Sequence, residues 1–237
     1  MILAMHQPYF MPYLGYFSLI KHADLFILSD LPQSIRHGWI ERNRICKPIP
    51  GWQYVQIPLK KHPHTISIKY LTIDNSKNWK EKIFGQLDHY RKKAPYYKEA
   101  MKVVSQALDI QTDNLVILIK HSLKAVCDYL GIEPNMHIFS EMNLTEFKSP
   151  SSADEWGLNA ALAVGNIKEY WNLYGGLELY DRRKYLENGI EIKFLKVKIE
   201  PYAQKTDLFE PSLSIIDVMM FNSAETINKM LDNYELI

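Results

Sequence analysis

The chain opens on an apolar run, Ile2-Leu3-Ala4-Met5, breaks at His6-Gln7, and then places Tyr13, Tyr16, Phe17 and Ile20 at helical spacing. A second apolar run, Leu25-Phe26-Ile27-Leu28, lies between Asp24 and Asp30. Runs that are apolar on both faces suit parallel strands covered by helices, so the pattern predicts a strand, a helix over 12–22 and a second strand joined by a right-handed crossover. Further on, YVQIPL alternates as a strand does, and ISIKYLTI is expected to pair with it as a hairpin across the HPH turn, with PIPGW as an earlier turn.

From 75 to 131 the period lengthens. Trp79, Ile83, Phe84, Leu87 and Tyr90 share one helical face behind an Asn75-Ser76 cap, and Ala94-Pro95 ends that helix. A second helix passes through Met101, Val104 and Leu108, and a third runs from an Asp113 cap to Leu130, with Gly131 after it. The remainder alternates: a strand at MHIFS, a helix from Ala153, a strand at EYWNLY, a GG turn, a helix at LYDRRKYLEN, a strand at IEIKFLKVKI and two terminal helical segments. This predicts an α/β fold with a mainly parallel or mixed sheet, flanking helices and a central helical insertion. Residues 1–74 form the β-α-β start and a basic hairpin region, 75–131 the insertion, and 132–237 a C-terminal α/β part completing the same domain.

Composition narrows the class. With 237 residues, 47% of them hydrophobic, the chain can bury a substantial core. No apolar run approaches the roughly 20 residues of a membrane span and no secretory leader pattern opens it, so no membrane insertion and a cytoplasmic location are expected. Cys46 and Cys127 suggest neither a disulfide framework nor a zinc motif, and His62 and His64 lack acidic companions, so no metal is assigned and the cofactor is left open. The net charge of +1 hides an asymmetry: up to Gln106 there are 16 Lys and Arg against 7 Asp and Glu, and beyond it 12 against 20. A basic part of +9 facing an acidic part of −8 fits either an anionic partner or a match between two lobes.

Candidate chemistry gathers at strand ends, where open α/β sheets bind ligands. His6 and Gln7 leave the first strand and Asp30 the second, while Pro8 and Pro12 stiffen the loop that carries the imidazole and amide. That loop can present them to a ligand or simply bond to itself. Phe17 and Ile20 are core positions; Tyr9 and Tyr13, nearer the loop, can pack or stack a ring. SIRHGWIERNRICK interleaves Arg36, Trp39, Arg42, Asn43 and Arg44, so guanidinium forks for phosphate or carboxylate sit beside a stacking face, unless the segment is only a solvated basic loop. Tyr202 and Gln204 precede Pro211-Ser212-Leu213-Ser214, where Ser212 or Ser214 suits a helix cap better than a nucleophile. No G-x-S-x-G, Walker, G-x-G-x-x-G or H-E-x-x-H motif occurs, which removes the simplest enzyme assignments.

Several of these stretches resemble the WbqC-like family of bacterial proteins: HQPYFMPYLGYF at 6–17, ADLFILSD at 23–30, GWIERNRI at 38–45, Trp79 to Ala94-Pro95, GGLELYD at 175–181, PYAQ at 201–204 and FEPSLSIIDVMMFNS at 209–223. The resemblance spans nearly the whole chain. It implies a cytoplasmic step in O-antigen or other surface-polysaccharide biosynthesis, on a nucleotide-linked sugar. The sequence departs from the family pattern at EYWNLYGG, where a small Ser-Gly turn is expected, and in the loop before Ala153. If that turn touches substrate, it is a place where the substrate can differ from that of relatives.

The combined reading is a transferase of an acyl or aminoacyl group to a nucleotide-linked amino sugar. His6, titrating near neutral pH, acts as general base, Gln7 orients the acyl group and Asp30 fixes the sugar or the imidazole. Arg36, Arg42 and Arg44 hold the phosphates. The alternatives are a non-catalytic accessory protein for glycan enzymes and a tRNA or nucleotide binder, the tRNA reading being disfavoured by a pI near 7.7.

Overall fold

The computed structural model describes residues 1–35, 38–204 and 208–237. The two predicted opening strands form as β1 (Ile2–His6) and β2 (Leu25–Leu28), joined by α1 (Leu14–His22). β1 pairs in parallel with β2 on one side and with β6 (Glu169–Leu173) on the other. β5 (Met136–Ile138) extends the sheet beyond β2, and β7 (Glu191–Val197) extends it beyond β6. The last strand, β8 (Tyr234–Leu236), adds antiparallel to β7 and buries none of its three residues fully, so no apolar pattern marks it in the sequence. The six-stranded order is β5-β2-β1-β6-β7-β8, a mixed, mostly parallel sheet.

Strand periodicity sorts the side chains into two cores. Ala4, Phe26, Leu28, Trp171, Leu173 and Leu195 face one cluster, which includes α1 and α8 (Ala224–Asp232). Leu3, Met5, Leu25, Ile27, Tyr170, Ile192 and Phe194 face the other, covered by α5 (Glu155–Val164) and α6 (Arg182–Glu187). The chain leaves β1 toward β2 under one face and leaves β6 toward β7 over the other. Their adjacent carboxyl ends therefore form the point at which the winding reverses, where loops diverge and leave room for a ligand.

The middle helices are α2 (Trp79–Leu87), α3 (Tyr97–Leu108) and α4 (Leu115–Leu130), and their apolar faces belong to the same cluster as α1 and α8. The cap of α4 is Asn114, one residue beyond the expected Asp113. Its Oδ1 accepts from the amides of Val116 and Ile117 at 2.9 and 3.1 Å, while the Asp113 carbonyl takes the Ile73 amide. Gly131 closes the helix at φ 69°, a left-handed conformation that glycine adopts without strain.

The predicted hairpin is corrected. β4 (Trp52–Gln56) pairs not with ISIKYLTI but with β3 (Arg42–Cys46), across the turn that contains Gly51. The ISIKYLTI segment instead makes a 3-10 turn at Ile68–Tyr70 and isolated bridges from Ser67 to Gln33 and from Ile73 to Leu59. Ile68 and Leu71 bury three residues apart, which suits a tight turn rather than a strand. Cys46 and Cys127 are both buried free thiols.

Candidate functional site

The segment between β1 and α1 is held at its backbone from several directions. Phe10 donates its amide to the carbonyls of Trp39 and Ile40, and its carbonyl accepts from Asn43 Nδ2 at 3.2 Å. Ser214 Oγ donates to the Met11 carbonyl at 2.6 Å, and the Ile215 amide donates to Pro12. Ser214 also caps α7 (Ile215–Phe221), so the helix and the loop share one hydroxyl. Met11 sits at φ 42°, a backbone conformation that costs a non-glycine residue of order 1 kcal/mol or more and persists only when surroundings hold it.

This rigid loop forms one wall of a cleft of about 760 Å³ at the carboxyl ends of β1 and β6. His6, Gln7, Tyr9, Pro12 and Tyr13 line it on the β1 side, and Trp39, Asn43 and Arg44 come from the neighbourhood of β3. Asn172, Leu173, Gly175 and Gly176 line it from β6 and the turn that follows, with Trp156, Tyr170 and Tyr180 behind them. No carboxylate is among these described lining residues, and Arg44 is their cation.

His6 is half-buried between the edges of Tyr9 and Tyr16, with ring centroids 4.8 and 5.1 Å away. Its Nδ1 donates to the Gln7 carbonyl at 3.2 Å, which fixes the tautomer and leaves Nε2 as an acceptor. Burial pulls the imidazole from 6.5 to about 4, partly opposed by the Gln7 bond. The expected titration near neutral pH is thus corrected: the ring is neutral throughout the physiological range. Burial also pushes the phenols of Tyr9 and Tyr13 up to about 12. The side-chain amide of Gln7 bonds to no described residue.

Arg44 lies over Trp39 and Trp52, its guanidinium carbon 5.3 and 5.2 Å from the ring centres. Nη2 reaches the Ser212 carbonyl at 3.4 Å, while Nε is buried with no partner among the described residues. Asn43 is buried and spans β3 and the loop, taking the Arg44 amide on Oδ1 at 2.9 Å. Arg42 does not line the cleft; it covers the Tyr54 ring at 4.2 Å and donates to Gly38. Arg36 lies outside the described residues.

Asp30, Tyr202 and Gln204 also stand away from the cleft lining. Asp30 is buried and holds Ser140, accepting from its amide at 2.9 Å and its hydroxyl at 2.6 Å. Tyr202 and Gln204 converge on the buried Asp217, whose Oδ1 accepts from them at 2.7 and 3.2 Å and whose Oδ2 takes the Tyr90 hydroxyl in a short bond. Conversely, sequence reasoning did not single out Asn172, Tyr170, Tyr180 or Trp156. The signal for Asn172 was present: it is the one polar residue between the apolar positions of YWNLY, three residues before a glycine pair. The EYWNLYGG departure therefore lies on the cleft wall.

Among the described residues, no group of three or more His, Cys, Asp or Glu side chains is arranged to hold a metal ion, and no helix is long and apolar enough to cross a membrane.

The sheet and its cleft define a doubly wound α/β protein whose cleft lies at the reversal of winding. The chain belongs to the WbqC-like protein family, whose model matches residues 7–229. It is 28% identical over 225 residues to the uncharacterized protein Rv1507c of Mycobacterium tuberculosis, an alignment covering 94% of each chain. No solved structure matches it.

Proposed function

We propose that the protein is a transferase of bacterial surface-glycan biosynthesis that moves an acyl or aminoacyl group onto the amine of a nucleotide-linked amino sugar. The observation that carries this reading is His6, a neutral imidazole with Nε2 available, facing a cleft whose described lining has one guanidinium and no carboxylate. A wall without carboxylates does nothing to stabilise an ammonium ion, and a nearby guanidinium disfavours it, so a bound amino sugar is biased toward its nucleophilic free amine. The amine nitrogen attacks the acyl carbonyl, His6 Nε2 takes the proton the nitrogen loses, and the donor's leaving group departs with the electron pair of the broken bond. Arg44 suits a phosphate, its fork already oriented by two indole rings. Gln7 offers an amide to the acyl group, and Asp30 acts at one remove by holding Ser140.

A second reading, an accessory protein without catalysis, is favoured by the apolar mouth of the cleft, where Ile35, Trp39 and Leu179 are exposed. A thermal-shift screen against nucleotide sugars, nucleotides, acyl-CoA compounds and tRNA separates the readings, because a ligand bound only by the native state raises its melting temperature. The transferase reading expects a shift with one nucleotide-sugar class that is lost in Arg44→Ala. It also expects His6→Ala to lower turnover by on the order of 100-fold with the fold intact. Unchanged turnover in that variant would overturn the role of His6. A shift with tRNA alone, lost steeply with salt, would favour the nucleic-acid reading instead.

A further inference from the structure

The end of the cleft beyond His6 carries its own hydrogen-bond design. Asn172 Oδ1 is occupied by the Leu173 amide at 2.7 Å, which fixes the side-chain amide with Nδ2 outward. Nδ2 then donates to the Tyr180 hydroxyl at 2.6 Å and to the Tyr170 hydroxyl at 3.3 Å. Tyr170 passes its own hydrogen to the Met5 carbonyl at 3.2 Å. Tyr180 accepts from Asn172, shares a hydrogen bond with the Tyr170 hydroxyl, and lines the cleft. With Asn172 donating to it from behind, the Tyr180 hydroxyl can turn its hydrogen to an acceptor that enters the cleft.

The surroundings limit what that is. Tyr170 and Tyr180 are ring neighbours at 6.0 Å, and Trp156 completes an aromatic wall without charge. Gly176 leaves the facing side open: a Cβ there would stand 3.2 Å from Tyr180 Cε2 and 3.4 Å from Asn172 Oδ1. β6 lies beside β1, which puts this end of the cleft next to His6, while Arg44 comes from β3. An uncharged ring bearing an acceptor oxygen fits between an aromatic wall and one directed donor. A phosphate does not.

We infer that the Asn172–Tyr180 end of the cleft is a pyranose subsite, in which the Tyr180 phenol donates to a ring substituent oxygen and Asn172 holds that phenol in position. The inference rests on the proposed function for its direction, sugar at His6 and phosphate at Arg44, but the subsite can be tested without the nucleotide. The Tyr180→Phe variant keeps the ring packed against Tyr170, Tyr185 and Phe194 and removes the hydroxyl, which is the donor toward the cleft and the acceptor for Asn172 Nδ2.

Binding of methyl glycosides of neutral and amino hexoses to the full chain is measured by saturation-transfer NMR, and binding of nucleoside diphosphates and nucleotide sugars by calorimetry. The expected result is that Tyr180→Phe, folded at the assay temperature, weakens a glycoside and its nucleotide sugar about five- to tenfold, the worth of one neutral hydrogen bond, and leaves the bare nucleoside diphosphate unaffected. Equal weakening of the bare nucleotide would overturn the inference by placing the base at this end. Glycoside binding that ignores Tyr180, or no glycoside binding at all, would overturn it too. Tyr180-dependent glycoside binding without any nucleotide binding would uphold the subsite and overturn the nucleotide-sugar reading.

Discussion

At the scale of single residues, His6 is the group whose chemistry the fold changes most. Its folded pKa of about 4 lies below the 6.5 of the unfolded chain. Between those values the unfolded state takes up a proton that the folded state refuses, so stability is flat above pH 6.5 and falls as pH drops toward 4. Urea titrations across that window are expected to show the decline in the native chain and a shallower one in His6→Gln, and the ring resonances of His6 should keep their neutral shifts down to about pH 5. Identical pH profiles for the two chains would mean that the ring is not shielded from water as the Tyr9 and Tyr16 contacts imply. The sequence placed His6 and Gln7 at a strand end because a polar pair closes an apolar run. It could not give the pKa, which depends on burial against Tyr9 of the loop and Tyr16 of the following helix.

At the scale of elements, the cleft depends on how a loop, a hairpin and a helix start are tied together. Ser214 serves two of them at once, capping α7 through the Ile216 amide and anchoring Met11 through its carbonyl. Ser214→Ala is therefore expected to cost about 1–2 kcal/mol, the upper range for a lost cap, measured as a lower urea midpoint with an unchanged slope. A cost near zero would show that Met11 is held by other contacts. Most of the sheet was legible because β1, β2, β6 and β7 carry long apolar patterns. The β3–β4 hairpin was not: RNRIC buries Asn43, Ile45 and Cys46 but shows arginines at two of its five positions, so it reads as a basic loop. Those arginines are accommodated by aromatic faces, Tyr54 for Arg42 and Trp39 with Trp52 for Arg44. The site residues divided in the same way. His6 and Gln7, at the end of β1, reached the cleft, whereas Asp30, beyond β2, turned to Ser140, and Tyr202 and Gln204, polar residues in a loop far along the chain, turned inward to a buried carboxylate that sequence distance concealed.

At the scale of the whole molecule, the opposite charges of the two halves meet at few points. Among the described residues, Asp232 links them, taking Lys21 at 2.7 Å and His22 at 3.1 Å. The halves are joined instead by apolar packing, since β1 and β2 from the basic half and β6 and β7 from the acidic half share both clusters. The two buried cysteines report on that packing. Cys46 lies in β3 beside Tyr90, whose hydroxyl accepts its amide at 3.0 Å, and Cys127 lies inside α4. Burial pushes the Cys127 thiol up to about 12 and raises that of Cys46 as well, so in the native chain neither forms the thiolate that alkylating reagents need. Each thiol is thereby a built-in clock: mass spectrometry of time-resolved labelling would read how often the hairpin and the central helix open, and whether they open together.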